Sequence, residues 1–568
     1  MRRLFLDKVT RDFNENLDTA LGPWCFDNCS DIDEICNLIK TSKIINERKY
    51  NRFDLINLRE KLYKKYSLTI SQYLKRTNTN DFPQIFYEDM SRAWLLHFLD
   101  FLIFSQNLVA ACLKKYSNKK IQVVQYYKDQ NLQCENTLDF VKKIFNKRYL
   151  SSFILFLIKN NKPKNWQIVC LNNKIKSYEI KISPNEQLII KKKNLFDYVK
   201  NKIKNLIFFN CQEIYGLNIF QKAFLSFYFS IKKPLNKSIR YKKSIFNKKK
   251  GKNLKGFHLP KNIEEILRIC IPASLKNIKP ANNKRNNYGK IILTSGGPLL
   301  YDDEKKAEFY IHKLNGGVIF SQQHGSGYND ADDSPYGAGC EMMFDGLISW
   351  GYKKHDNYKG RIIPLPSPQL CFKRKYNNDN ILFCSTANWY FNPRISGKSF
   401  DFTSKRINNT IIFLKNIKNA IFKKVYFKEH FSLHFSEKKF LDKKLSNINY
   451  TNNAPETFLQ SSKMVILNNI STMFFKSMAA NTPTLVIMND YGLLTKSALR
   501  MFKLLEEKNI IFTDPLRAAK FINKNFDQIE NWWFSKDLQK MRIKFCSNFA
   551  LYNKSPFKIW MNFFYNIR

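Results

Sequence analysis

The second half of the chain alternates compact apolar runs with helical segments. From about residue 286 onwards the runs are "GKIILTSG", "GGVIFSQQ", "FDGLISWGY", "RIIPLPSP", "NILFCST", "KVYFKEH", "KMVILNN" and "PTLVIMN". Neighbouring parallel strands need a long return between them, and a helix is the usual connection. The alternation therefore predicts an α/β fold of parallel sheets with crossover helices.

The length of the chain predicts more than one domain. It has 568 residues, which is more than a single hydrophobic core usually sustains. We expect two facing, doubly wound domains, over residues 1–372 and 373–545, with a final helical segment over 546–568 that packs back on the first. The first half is expected to add a helical region at about 48–116 and an exposed basic connection at about 232–255.

The most apolar stretch, "WLLHFLDFLIFSQNLVAACL", begins at Trp94. It contains His97, Asp100, Gln106 and Asn107, and placing a charged group inside a bilayer is costly. We interpret the stretch as a long, mostly buried helix.

The formal net charge is +48 and the sequence pI is about 9.7. Such a charge is typical of proteins that bind nucleic acid or an anionic membrane surface. The chain is also rich in Lys, Asn, Ile, Phe and Tyr, a composition typical of AT-rich genomes. We therefore interpret the charge mainly as background, with peripheral contact to anionic lipid at the inner membrane as a secondary expectation. A specific nucleic-acid partner is not expected, because no recognition helix, zinc module or aromatic RNA-binding strand is recognisable.

The cysteines and acidic clusters favour a cytoplasmic protein that requires no metal. The 12 cysteines are scattered without a CxxC pair, so reduced thiols are the simplest interpretation. The acidic segments "NDADDSPYG" and "YDDEKK" have the composition of ordinary turns. We expect neither a metal nor a cofactor.

The segment "QQHGSGY" places a histidine just past the end of a predicted strand. In open parallel sheets, ligands bind at the carboxyl ends of the strands. A neutral imidazole there could take a proton from an attacking hydroxyl, which makes His324 a candidate catalytic base, with a turn-capping histidine as the alternative. Gln323, Gly325, Gly327 and Tyr328 are candidates for the acceptor side of the cleft, since glycines let a substrate approach the backbone.

A second candidate site lies in "SSKMVILNNISTMFFKSMAANTPTLVIM", residues 461–488. The pattern predicts a strand, a polar turn and a helix that begins near Ser471 or Thr472. The free amides and positive dipole end at Ser471, Thr472 and Met473 suit a phosphate or diphosphate. The alternative is that Ser471 is only an N-cap, as in many helices.

The strand end "KKVYFKEH" gives a third candidate site. Lys428 and His430 could balance negative charge on a bound donor. An ordinary solvated strand end is equally compatible with these residues.

Several of these segments together resemble a bacterial family of surface-carbohydrate, or O-antigen, biosynthesis transferases. "LGPWCF" looks like the family's Gly-x-Trp-Cys turn, and "SRAWLLHFLDFL" like its tryptophan-bearing long helix. "QQHGSGY" and "ISWGY" resemble its Gln-His-Gly and Trp-Gly-Trp elements, "STMFFKSMAANTPTLVI" its donor-side helix, and "NWW" its terminal tryptophan pair. The segments occur in the same order along nearly the whole chain.

The resemblance implies a fold of two facing Rossmann-like domains of the GT-B type, with the nucleotide-activated donor held mainly by the C-terminal domain. A His-Gly element near the domain cleft also occurs in teichoic-acid glycerophosphotransferases and capsule sugar transferases, which implies that His324 is the catalytic base. Two positions depart from the family pattern. The family's helix glutamate falls at Lys476, and Tyr352 stands where a second tryptophan is usual.

The function that we expect is therefore that of a metal-independent glycosyltransferase. It would move a sugar from a nucleotide-sugar donor, for which a CMP-nonulosonate is one candidate, to a glycan or lipid-linked glycan of a surface polysaccharide or O-antigen. Two alternatives stay open. One is a polyol-phosphate transferase of the teichoic-acid type, and the other, prompted by Lys476, is a non-catalytic scaffold in polysaccharide assembly.

Overall fold

The computed structural model describes residues 1–27, 31–41, 43–45, 50–127, 130–171, 211, 214–231, 259–278, 291–342, 344–372, 378–431, 434–492 and 494–567. These residues contain three β-sheets, and every strand pair within them is parallel. The predicted α/β class with parallel sheets is confirmed. The expected basic connection at 232–255 lies outside the described residues.

The N-terminal sheet has the strand order β2-β1-β3-β4. Its strands are β1 (Arg2–Phe5), β2 (Thr19–Ala20), β3 (Ile121–Gln125) and β4 (Trp166–Cys170). The helices of this part of the chain are α1 (Ile32–Lys40), α2 (Arg52–Thr77), α3 (Gln84–Tyr116), α4 (Thr137–Lys143) and α5 (Lys147–Asn161). The first strand pairs with residues more than a hundred positions later, so this sheet depends on long-range contacts.

Helix α3 is the long apolar helix that the sequence predicts. Its 33 residues include a window of mean hydropathy 1.5, long and apolar enough to cross a membrane, but 89% of that window is buried inside the protein. Asp100, one of its polar residues, makes polar contacts inside the protein. The carboxylate of Asp100 accepts a hydrogen bond from the amide of Ile395 at 3.1 Å and lies 3.4 Å from the guanidinium of Arg59 on α2.

The middle sheet has the order β5-β6-β7-β8. Its strands are β5 (Ile291–Ser295), β6 (Val318–Gln322), β7 (Gly346–Ser349) and β8 (Ile362–Pro364). The helices near it in sequence are α6 (Ile219–Ile231), α7 (Ile263–Cys270), α8 (Ala273–Lys276), α9 (Gly296–Leu300) and α10 (Asp303–Leu314). The described residues between 1 and 372 thus contain two four-stranded sheets.

The C-terminal sheet has six strands in the order β11-β10-β9-β12-β13-β14. They are β9 (Ile381–Cys384), β10 (Val425–Lys428), β11 (Asn449–Tyr450), β12 (Met464–Leu467), β13 (Thr484–Ile487) and β14 (Ile511–Phe512). All residues of β9, β12 and β13 are buried, as expected for central strands covered on both faces.

Helices cover the C-terminal sheet. They are α11 (Phe400–Asn416), α12 (Asn419–Phe422), α13 (Lys438–Lys444), α14 (Pro455–Ser461), α15 (Thr472–Ala479), α16 (Lys496–Glu507), α17 (Pro515–Asn525), α18 (Ile529–Trp533) and α19 (Lys536–Phe549). Helix α15 ends at Ala479. Asn481, just past its end, has a φ of 57°, a left-handed conformation that asparagine tolerates and that stops a helix.

The last helix, α20 (Pro556–Asn566), packs on the middle sheet. The ring of Phe564 lies 5.6 Å from that of Phe320 on β6. The indole of Trp560 donates a hydrogen bond to the backbone oxygen of Pro366 at 2.8 Å. The end of the chain therefore returns to a sheet built from earlier residues, and the expected domain boundaries stay a prediction.

The middle and C-terminal sheets meet at their carboxyl ends through a short contact that we call the rim bridge, formed by residues 329–331 and 494–495. Ala331 and Leu494 form an isolated antiparallel β-bridge. The amide of Thr495 donates to the backbone oxygen of Asp330 at 3.0 Å, and its hydroxyl donates to that of Asn329 at 2.8 Å. The loops after β6 and β13 are thereby fixed to each other.

Candidate functional site

A cavity of about 480 Å³ lies between the carboxyl ends of the middle and C-terminal sheets. The loops after β5 and β6 contribute Gly296, His324 and Tyr328, and the turn after β12 contributes Asn469 and Ile470. The carboxyl ends of parallel strands are where ligands bind in α/β folds. The fold therefore brings His324 and the turn before α15 to one cavity, whereas Ser471, Thr472 and Met473 of the second predicted site are not among its lining residues.

The imidazole of His324 is exposed to this cavity but has protein on its other sides. That partial burial lowers its pKa below the usual 6.5, because a charged imidazolium loses solvation there. Its Nδ1 lies 2.6 Å from the hydroxyl oxygen of Tyr328. Within the described residues Nε2 makes no hydrogen bond. At neutral pH the ring is therefore a neutral group with one nitrogen held by the protein.

Behind His324, Tyr328 connects the imidazole to a buried carboxylate. The Tyr328 hydroxyl donates to Oε1 of Glu341, and the Ser321 hydroxyl donates to Oε2. Glu341 has no exposed surface, and burial raises its pKa to about 7. When Glu341 is ionised, it accepts the hydrogen bond of the Tyr328 hydroxyl, so Nδ1 of His324 must donate to the phenol oxygen. This arrangement leaves the lone pair on Nε2, as a general base requires.

Glu341 and its role are not visible in the sequence. The one signal is a charged residue inside the apolar run "CEMMF", a pattern that also fits an exposed residue. Its pairing with Tyr328 depends on the packing of two separate segments, which no local pattern encodes.

Gln323, Gly325 and Gly327 shape the loop that carries His324. The Gln323 side chain is 3% exposed, accepts from the amide of Trp350 at 2.8 Å and donates to the oxygen of Gly325 at 2.9 Å. Gly327 has a φ of +87°, a conformation that other residues rarely adopt. Gln323 therefore supports the loop from the interior, whereas Gly327 and Tyr328 line the cavity.

The N-terminus of α15 touches the histidine loop. Oγ1 of Thr472 accepts a hydrogen bond from the amide of Ser326 at 3.1 Å, and a Cβ added at Gly325 would lie 2.9 Å from the same oxygen. Ser471 occupies the N-cap without a side-chain capping bond. Met473 is buried in the core of the C-terminal sheet. The preceding turn, at Asn469 and Ile470, is what lines the cavity.

Two cations that the sequence analysis missed also line the cavity, Arg394 and Lys398. Burial and, to a smaller extent, the nearby charge of Arg406 lower the pKa of Lys398 to about 7, against the opposing carboxylates of Asp490 and Asp330. The Lys398 ammonium lies 4.4 Å from the ring centroid of Phe402. Both cations belong to the loop after β9, "NPRISGKSF", and their position at a strand end was the available signal.

A buried ion pair supports the opposite wall. The guanidinium of Arg59 on α2 bonds both carboxylate oxygens of Asp333, at 2.7 and 2.9 Å. Asp333 lines the cavity, and both side chains are almost fully buried. The helical region thus holds a segment of the cavity wall in place.

Lys428 and His430 are not among the residues that line this cavity. The ammonium of Lys428 donates to the backbone oxygen of Asn452 at 3.0 Å, and the ring of His430 stacks on Phe431 at 4.6 Å. Their role in donor binding stays a prediction.

The two positions that depart from the family pattern lie in different surroundings. Lys476 pairs with Glu456 at 2.6 Å, so the positive charge on α15 is neutralised locally. Tyr352 is buried, and its pKa is raised by that burial and by the nearby charges of Glu341 and Asp330. Tyr352 therefore lies near Glu341, the carboxylate that Tyr328 connects to His324.

In the part of the chain that the structure describes, no three His, Cys, Asp or Glu side chains are grouped as ligands for a metal ion. The expectation that the chain requires no metal or cofactor stays a prediction.

The chain is similar in sequence to one known family and in structure to two solved glycosyltransferases. The solved structures are "Crystal Structure of WaaG, a glycosyltransferase involved in lipopolysaccharide biosynthesis" and "Crystal Structure of CalG4, the Calicheamicin Glycosyltransferase". Their identities are 9% and 8% and their TM-scores 0.25 and 0.27, and each comparison covers 83% of this chain and 95% of the other. No curated protein matches the sequence. The model of the LIC12162 family transferase matches residues 2–564, and the chain therefore belongs to this family of transferases.

Proposed function

We propose that this transferase is a glycosyltransferase of the GT-B type that uses His324 as its general base. The observation that carries the proposal is the juxtaposition in one cavity of a neutral, oriented imidazole with a strand-turn-helix segment suited to a phosphate. The loops that bear the two groups are joined by the 3.1 Å bond between Ser326 and Thr472. Membership of a transferase family supports a reaction of this class.

In the proposed reaction, a hydroxyl of the acceptor gives its proton to Nε2 of His324 as its oxygen attacks the anomeric carbon of the donor. The bond between that carbon and the phosphate oxygen breaks, and the phosphate leaves with the electron pair. The first-turn amides of α15 and the ammonium of Lys398 neutralise the charge on the departing phosphate.

Tyr328 and Glu341 act as positioning residues in this scheme. They hold Nδ1 of His324 in its protonated form and so keep the basic lone pair on Nε2. They also stabilise the imidazolium that forms during transfer, since an ionised Glu341 lies one hydroxyl away from the ring.

We further propose that the donor is an acidic nucleotide sugar, with a CMP-nonulosonate as the leading candidate, and that the acceptor belongs to a surface polysaccharide or O-antigen. Such a donor carries a sugar carboxylate as well as a phosphate. The cavity offers two cations, Arg394 and Lys398, which match two anionic groups. The motif resemblance supports the acceptor class.

A panel of nucleotides and nucleotide sugars tests the proposal through the melting temperature of the full chain. A ligand that binds only the folded state raises the melting temperature by mass action. We expect cytidine nucleotides to stabilise the protein more than uridine, guanosine or thymidine nucleotides at the same concentration. Stabilisation by another nucleotide alone overturns the cytidine assignment, and stabilisation by none overturns the glycosyltransferase proposal.

A further inference from the structure

Helix α6 carries a row of exposed apolar side chains, which we call the α6 aromatic face. It consists of Phe220, Phe224, Phe227 and Ile231, with exposed fractions of 82%, 54%, 65% and 61%. Their spacing of four, three and four residues places them on one side of the helix. Contiguous exposed apolar surface on a folded protein usually marks an interaction site.

The opposite side of α6 is anchored in the core. Leu225 and Phe229 are fully buried, and the ring of Phe229 lies 4.8 Å from that of Phe564 on α20. The helix is therefore held to the middle sheet, and the aromatic face points outward from a fixed base.

The charged residues of α6 and α20 are all basic. The sequences of α6 and α20 contain no Asp or Glu, and Lys222, Lys554 and Lys558 lie on or beside them. The chain directly after α6, residues 232–255, contains eleven Lys and Arg residues and no Asp or Glu. Anionic lipid headgroups attract such basic sequences, and salt screens the attraction.

We propose that the α6 aromatic face docks the protein on an anionic lipid bilayer, with the phenylalanine rings in the headgroup region and the neighbouring lysines on the lipid phosphates. A helix with an apolar face and basic flanks is the usual form of such an interfacial anchor. The absence of carboxylates from α6 and α20 favours a lipid surface over a protein partner, because an anionic surface repels carboxylates and a mixed protein surface does not.

The aromatic face is close to the candidate active site. Tyr215, four residues before the start of α6, lines the cavity, and its ring lies 6.1 Å from that of His324. Four residues span at most about 14 Å. Docking through α6 therefore brings the part of the cavity wall at Tyr215 near the bilayer surface. If the proposed function holds, a lipid-linked acceptor reaches His324 from that side; the docking itself does not depend on the reaction.

Co-sedimentation of the full chain with vesicles tests the docking without any substrate. The vesicles contain phosphatidylethanolamine with about one third phosphatidylglycerol, and pure phosphatidylcholine vesicles serve as the neutral comparison. We expect binding to the anionic vesicles that weakens as salt rises. The double variant Phe220→Ser/Phe224→Ser should bind the anionic vesicles about tenfold or more weakly, because it lacks two apolar rings that the wild type would bury in lipid.

Two further variants separate the aromatic face from general effects. Phe53→Ser/Phe534→Ser removes two phenylalanines, one on α2 and one directly after α18, that are 54% and 45% exposed, and this variant should bind like the wild type. Phe220→Leu/Phe224→Leu keeps the face apolar and should retain most of the binding. Wild-type protein that stays in the supernatant, or a serine variant that sediments as well as the wild type, overturns the proposal. So does a self-association that the serine substitutions abolish, since it identifies a second copy as the occupant.

Discussion

The hydroxyl oxygen of Tyr328 lies 2.6 Å from Nδ1 of His324, and the same hydroxyl donates a hydrogen bond to the buried carboxylate of Glu341. When Glu341 is ionised, the imidazole therefore carries its proton on Nδ1 before any substrate arrives.

Replacing His324 with alanine should lower turnover by about a hundredfold or more, the usual contribution of a general base. Since burial lowers the pKa of His324 below 6.5, the wild-type ring is neutral at pH 7, and its protonation should reduce turnover only in more acidic solution. The measurement is the pH profile of turnover with the donor identified by melting temperature. Nucleotide binding by the variant is the control, and near-normal turnover would reject the role.

Replacing Tyr328 with phenylalanine should change the tautomer of His324. In the wild type at pH 8 the proton resides on Nδ1, because the phenol oxygen accepts it. The variant lacks that acceptor, so the proton should move to Nε2, the form usually favoured by free histidine. Nitrogen-15 NMR of labelled histidine reads the tautomer without substrate, with the His324→Ala spectrum as the assignment. An unchanged tautomer contradicts the positioning role.

Replacing Glu341 with glutamine should flatten the dependence of stability on pH. Glu341 has a pKa of about 7 in the folded protein and 4.5 as its ordinary value. Between these values the unfolded chain binds fewer protons, so the free energy of unfolding falls as pH rises through this window. The difference is at most about 3 kcal/mol. Urea denaturation at pH 5 and pH 8 measures it, and parallel pH trends for wild type and variant would show that Glu341 does not titrate there.

Replacing Lys398 with methionine should weaken the binding of nucleoside phosphates by about tenfold or more at pH 6, since a hydrogen bond to a charged group is lost. Burial lowers the pKa of Lys398 to about 7. The Lys398 ammonium of the wild type therefore loses its charge as pH rises from 6 to 8. The bound phosphate then loses a cationic partner. The variant should lack this part of the pH dependence. Lys405→Met, an exposed position on the same helix as Phe402, is the matched control, and equal affinities for all three proteins would exclude Lys398 from the site.

Replacing Gly325 with alanine should force the histidine loop away from α15, because the new Cβ would lie 2.9 Å from Oγ1 of Thr472. Overpacking of this kind costs about 1–3 kcal/mol. Adding Thr472→Ala removes the clashing oxygen, so the double variant should be more stable than the sum of the two single effects. Denaturation of the four proteins measures this coupling, and simple additivity would mean that the two loops do not touch.

The sequence predicts the local parts of this molecule well. Strand β12, the turn after it and the start of α15 lie where the alternation of apolar and polar residues indicates, because strand, turn and cap preferences act over a few residues. The position of His324 at the end of β6 follows from the same pattern. These features need no knowledge of distant contacts.

The remaining features depend on tertiary packing. Strand β1 pairs with β3 across more than a hundred residues, so the separate N-terminal sheet has no local signature. Glu341 reaches Tyr328 only because β6 and the segment before β7 are packed together. Lys398 lines the cavity because of the path that the loop after β9 takes. In each case the function of the residue is set by its neighbours in space.

The rim bridge connects the loop that carries His324 to the C-terminal sheet. His324 is only five residues from Asn329, whose backbone oxygen accepts the Thr495 hydroxyl. A rotation that widened the cleft would have to break these bonds or carry the histidine loop along with the second half. The loop that carries His324 is therefore held to the C-terminal part of the chain at two points, Ser326 and Asn329, and these two contacts together set the distance between the imidazole and the start of α15.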